Sequence, residues 1–344
     1  MPRTKRIKRT LCKKRYWEDG MKSLLRAASI GLLLASSVGV SAQTNYPDRT
    51  IRFVVSAAAG GGTDIIARVV GQQLNALWGQ PVVVENRTGG AGNIAAQFVA
   101  RSQPDGYTLF VTFGGVLVIN PFLFRDIGFD PDKDFVPVTV LASAPYLLLV
   151  NPTVIPSKTV KEFITYLKAQ PEKPNWGGMT KGSPDHLSGE LFSMMTGIAM
   201  DHIPYKGASE ALIDVLGGRV PFGYFSVPSS LAHVNAGKLL ALGVSDTIRS
   251  PLLPNVPTIA EAGLPGYEMQ TWFAVWAPAG TPDPVIEKLY SGIRTVLQTE
   301  VVRKKLIDGG FRPGGMSPAD FARFVKTETE KFGKIIETIG MEKN

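Results

Sequence analysis

From residue 51 onward, short β-branched runs alternate with stretches whose apolar positions recur at helical spacing. The run 51–56 is strand-like and passes through the small-residue loop 57–62 into a helical pattern over 63–77. A strand at 81–85, a helix at 91–101 and a strand at 107–112 repeat the order. This rhythm predicts an α/β sheet of parallel strands with crossover helices. The Pro/Asp-rich stretch 129–137 (FDPDKDFVP) reads as a linker. Alternation resumes with strands at 146–150, 175–178, 199–204, 220–225 and 239–245, and helices near 159–169, from 185 and from 207. A Pro-rich passage at 250–265, an aromatic strand at 268–278, and helices at 282–298 and 318–339 complete the chain.

Two βα sets joined by Pro-rich crossings predict two Rossmann-like lobes around a cleft. One lobe comprises residues 43–143 plus 266–344, with the terminal helices packed back onto it, and the other comprises 144–265. The crossings near 138–145 and 265–272 would serve as hinges. In open α/β sheets ligands sit beyond the carboxyl ends of the strands, so both lobes would present those ends to the shared cleft.

Charge changes the picture at the N-terminus. The formal net charge is +8, which invites a nucleic-acid or membrane partner. Residues 1–42 alone carry ten Lys and Arg against Glu18 and Asp19. The remainder is neutral, with no basic run to track phosphates. Residues 1–42 read as a secretory signal: Lys22 and Arg26 precede an apolar run over 27–40, and Val40-Ser41-Ala42 offers small residues for cleavage. Met21 can serve as the true start. The expected product is an exported, periplasmic monomer that is not embedded in a membrane. The single cysteine, Cys12, lies in the leader, so the mature chain has no disulfide, cysteine-ligated metal or thiol nucleophile.

Two loops are candidates for holding an anion. In Ala57-Ala58-Ala59-Gly60-Gly61-Gly62-Thr63-Asp64 the missing side chains expose backbone N–H groups at a helix start. Thr63 or Asp64 is positioned to cap that helix. The loop matches neither GxxxxGK[ST] nor GxGxxG, and a tight turn serving only packing is the alternative. The second loop, Thr180 to His186, places Gly182 and Ser183 before Pro184 at a helix start. Asp185 favours the helix N-terminus, and His186 suits packing or capping better than ligation. One helix start from each lobe would clamp a carboxylate. No HExxH, GxSxG or carboxylate pair suggests catalysis, and neither cofactor nor metal is expected.

Five segments in order, AAAGGGTDIIAR at 57–68, GQPVVVENRTGGAGNIAA at 79–96, PDGYTL at 104–109, HIPYKG at 202–207 and LPNVPTIAEAGLPGYE at 253–268, give a specific resemblance. Together they resemble the Bug-type solute receptors of tripartite tricarboxylate transporters, over essentially the whole mature chain. The resemblance implies a type II periplasmic binding protein that takes a small organic acid in its cleft and delivers it to membrane transporter subunits. It places ligand contacts on Ala58, Gly60, Gly61, Gly62, Thr63 and Asp64, on Gly182, Ser183 and His186, and on Lys206 and Gly207. Tyr205 equally suits a structural role. Phe113 and Phe225 stand where such receptors often carry polar groups. An apolar or aromatic ligand body resting on these two rings follows, with core packing of the rings as the alternative. Two other jobs stay open: an exported α/β enzyme acting on carboxylates, and a loaded receptor read by a sensor kinase.

Overall fold

A computed structural model describes residues 46–205 and 207–343. The leader and its cleavage point lie outside the described residues, as does Lys206.

The first strands are β1 (Ile51–Val55), β2 (Val82–Asn86) and β3 (Thr108–Phe113). They pair in parallel, with β1 in the middle. β-Branched and aromatic side chains fill β1, and all but Arg52 are buried. The helix Gly62–Trp78 crosses from β1 to β2 and ends at Gly79, whose φ of 66° needs no Cβ.

The expected linker at 129–137 is instead structured. Asp130 accepts hydrogen bonds from the N–H groups of Asp132 and Lys133, capping the single-turn helix Pro131–Asp134. The chain then enters β4 (Phe135–Val150), a 16-residue strand. Pro137 is accommodated at a register shift between Pro137 and Thr139.

The second set comprises β5 (Asn175–Gly178), β6 (Asp201–Pro204), β7 (Phe222–Ser226) and β8 (Leu240–Val244). β5 pairs in parallel with β6 and β7. β9 (Gln270–Pro278) returns antiparallel between β3 and β4, and the two-residue β10 (Arg312–Pro313) pairs with β4. The architecture is therefore mixed rather than all-parallel. β4 joins the two sets: Phe135–Pro145 pairs with β9, whereas Tyr146–Val150 pairs with β7 and β8.

The hinge segment expected at 138–145 is thus paired β-structure, as are residues 270–272 of the one expected at 265–272, with Ser143 opposite Trp272 and Pro145 opposite Gln270. The helix Asp283–Gln298 packs on Gly62–Trp78, where Gly292 leaves room for the Trp78 ring. The last helix, Pro318–Thr338, contacts β4, the short helix Gly115–Val118 and the helix Pro184–Thr196. It therefore touches both strand sets, where the sequence reading kept it on the first lobe.

Candidate functional site

A cavity of about 730 Å³ opens beyond the ends of β3 and β5. That volume suits a small-molecule ligand. Phe113 and Phe273 stand opposite each other across the β3–β9 pairing, and both line the cavity. Ile119, Leu123 and Phe124 extend the apolar wall. Facing them are Met179 to Pro184, with Tyr146 and Thr271 from the strands that join the two sets. Residues 339–342 close a further side. Among the described residues, Lys181 is the one cation and Glu342 the one anion in this lining.

The second-lobe loop is held at several points. Ser183 is the N-cap of the helix Pro184–Thr196, its Oγ accepting from the His186 N–H. Gly182 has φ 84°, and its N–H donates to His186 Nδ1 at 3.1 Å. The Met179 N–H donates to Asp185 Oδ2. Asp185 and His186 are each 2% exposed, so they stand behind the cavity wall and shape it. Burial pushes the Asp185 carboxyl up from the usual carboxylate range. Leu123 presses on Gly182 from the facing wall, since a Cβ there would lie 2.5 Å from Leu123 Cδ1.

The first-lobe loop has the same local design. Gly61 is the N-cap, correcting the expectation that Thr63 or Asp64 caps the helix. Asp64, two residues inside the helix, reaches back to accept the Gly60 N–H at 2.9 Å. Arg68 and the Asn86 amide also donate to this buried carboxylate. The Arg68 hydrogen bond leads in holding its pKa down at about 2, although burial alone would raise it.

The two loops are not brought onto one cavity. Gly182, Ser183 and Phe113 line it, whereas Ala58, Gly60, Gly61, Gly62, Thr63 and Asp64 do not. Gly62 adjoins it: a Cβ there would stand 3.5 Å from the Phe273 ring. Gly207 caps the helix Ala208–Leu216 and is also outside the lining. Tyr205 donates to Asp214 at 2.8 Å, a structural contact.

Phe225 is corrected outright. It is 1% exposed and packs with Leu147, Leu149, Ala211 and Val215 in the second core. Strand alternation is the cause: Phe222 and Tyr224 face the first core, and Phe225 turns the other way.

Several cavity residues escaped the sequence reading. Ala91 lines the wall with φ 54° and is the sole non-glycine with positive φ among the described residues. The Asn120 side-chain amide donates to Ala91 O at 3.1 Å and to Asn93 Oδ1 at 2.7 Å, bracing that turn. The run Thr88-Gly89-Gly90-Ala91-Gly92 was the available signal, because glycines cluster where backbone must enter the left-handed region. Tyr146, Thr271 and Phe273 carried none, since they read as ordinary strand residues.

Comparison with known proteins bears on what such a cavity is for. Residues 66–341 match the tripartite tricarboxylate transporter family receptor, TctC. The chain belongs to this receptor family. BugT of Bordetella pertussis is 35% identical over 317 residues, covering 91% of this chain and 97% of BugT. Among solved structures similar to this TctC chain, R. palustris Rpa4515 with adipate is 39% identical. It has a TM-score of 0.72 and covers 86% of this chain and 98% of its own. MatC from Rhodopseudomonas palustris with bound malate is 32% identical, with a TM-score of 0.68 and coverage of 85% and 100%. The type II binding-protein fold expected for a TctC receptor is the fold observed. Among the described residues no helix is long and apolar enough to cross a membrane, and no cluster of His, Cys, Asp or Glu could hold a metal.

Proposed function

We propose that this TctC receptor works in the periplasm, captures a small organic acid in the cavity between its strand sets, and delivers it to membrane transporter subunits. The observation that carries the reading is the composition of the cavity. One wall is built from Phe113, Phe273, Ile119, Leu123 and Phe124, and the facing loop supplies Thr180, Lys181 and Ser183. A carboxylate placed on that loop meets the Lys181 ammonium and a hydroxyl-bearing helix start. The remainder of such a ligand lies against aromatic and aliphatic surface. A second or third charge directed there would lose its hydration without gaining a partner. A ligand with a carboxylate at one end and an apolar body therefore fits better than citrate. Adipate, the molecule bound to Rpa4515, has an apolar middle of this kind, and its second carboxylate has to lie beyond that wall to keep its hydration.

A thermal-shift panel of aromatic monoacids, aromatic diacids, adipate, malate, glutamate and citrate tests the assignment. Aromatic acids or adipate should raise the melting temperature. Stabilisation by citrate or glutamate alone would contradict it.

A further inference from the structure

The two anion-loop segments correspond position by position in their local design. Gly60 and Gly182 share φ values of 83° and 84°. Gly61 and Ser183 are the N-caps. Asp64 and His186, each four residues after its glycine, reach back to accept that glycine's N–H. The next turn carries the partner: Arg68 on Asp64, and Glu190, whose Oε1 lies 3.4 Å from His186 Nε2. The lobes thus build one device around different acceptors. In the first, the acceptor is an ionised carboxylate. In the second it is an imidazole nitrogen, which accepts only while it carries no proton.

We propose that His186 is a positioning residue whose protonation opens the second-lobe loop and weakens ligand binding. While His186 is neutral, Nε2–H points at Glu190 and Nδ1 is left to accept from Gly182. A second proton turns Nδ1 into a donor facing another donor, at an imidazole that is 2% exposed. Gly182 and Ser183 line the cavity, so the loss acts directly on the binding wall. The first-lobe loop stays set, because its acceptor is Asp64. A periplasmic receptor would then release its acid as the medium acidifies.

The other charged groups facing His186 are Glu190 and Asp185 on its own helix, Lys181 on the loop, and His202 on β6. The His202 ring centroid lies 4.5 Å from that of His186. Burial lowers the His202 pKa to about 4, so it stays uncharged over most of the range where histidines titrate. Asp185 is the competing titrating group, because it accepts the Met179 N–H at the other end of the loop.

Two measurements decide the matter, and only the second rests on the receptor reading. First, imidazole nitrogen–proton spectra of the isotope-labelled protein without ligand should show Nε2–H and a bare Nδ1 on His186 at about pH 8. The Gly182 amide signal should move with the same midpoint as His186 on acidification. A Gly182 signal indifferent to that titration, or an Nδ1–H tautomer, overturns the proposal. Second, adipate affinity should fall roughly tenfold on acidification in the wild type, within the range where adipate itself stays fully ionised. His186→Asn, whose amide oxygen replaces Nδ1 as a non-titrating acceptor, should bind with an affinity flat over that range. A fall that persists in His186→Asn and disappears in Asp185→Asn assigns the effect to Asp185 and overturns the proposal. If adipate fails to bind at any pH, the ligand class is wrong, and the Gly182 signal decides the clamp by itself.

Discussion

At Gly182 the backbone takes φ 84° while Leu123 occupies the space a side chain would need. Alanine there meets both penalties, since the left-handed conformation and the contact each oppose a Cβ. Gly182→Ala should lose about 1–3 kcal/mol of stability in chemical denaturation, with weakened acid binding. A second residue-scale expectation concerns Asp64. Its folded pKa of about 2 lies below the ordinary value of 3.8, so its stabilisation is complete above about pH 4 and lost as pH falls toward 2. The difference is worth about 2 kcal/mol. Asp64→Asn keeps an acceptor for Gly60 but should remove this part of the acid limb, measured by denaturation at a series of low pH values. Phe113→Ala should weaken aromatic-acid binding by about 1–3 kcal/mol in titration calorimetry. An unchanged affinity would place the ligand elsewhere. The glycine loops and the Ser183 cap were legible in the sequence, because small residues and caps declare themselves locally. The destination of Phe225 was not: in a half-read strand, one step of register decides which face a ring takes.

Among the elements, β4 was the hardest to read. Its first half hides behind Asp130, Pro131, Asp132 and Asp134, which cap a single helical turn, and Pro137 interrupts the apolar pattern. Pairing with β9 makes this first part a strand, and pairing with β7 and β8 continues it. The helices Val227–Asn235 and Glu300–Asp308 were also missed. The first begins at Val227 directly after β7, with Pro228 in its first turn, and the second follows the preceding helix after Thr299 alone, which caps it. Residues 339–342, just past the last helix, line the cavity, a placement no local pattern encodes. Their removal should widen that wall. A chain ending at Thr338 is expected to bind adipate roughly tenfold more weakly, by calorimetry, while its melting temperature without ligand changes little.

For the molecule as a whole, β4 and β9 run side by side where the two strand sets meet. Closure of the sets on a ligand is favoured only by contacts that improve when they approach. An acid present at about a hundred times its Kd should add roughly 2.7 kcal/mol of stability, and Phe113→Ala should need more acid to reach it. Taken alone, the sequence determined the α/β rhythm, the neutral chain beyond residue 42, the glycine-led helix starts and the receptor family. The first three are set by local spacing, capping and composition, and the family by its resemblance over five ordered segments. Tertiary structure decided which loop reaches the cavity, that Phe273 and Tyr146 line it, and that Phe225 belongs to a core. It also paired His186 with Gly182 in the manner of Asp64 with Gly60. Such outcomes depend on strand register and on residues distant in sequence meeting across an interface, and neither is encoded at any single position.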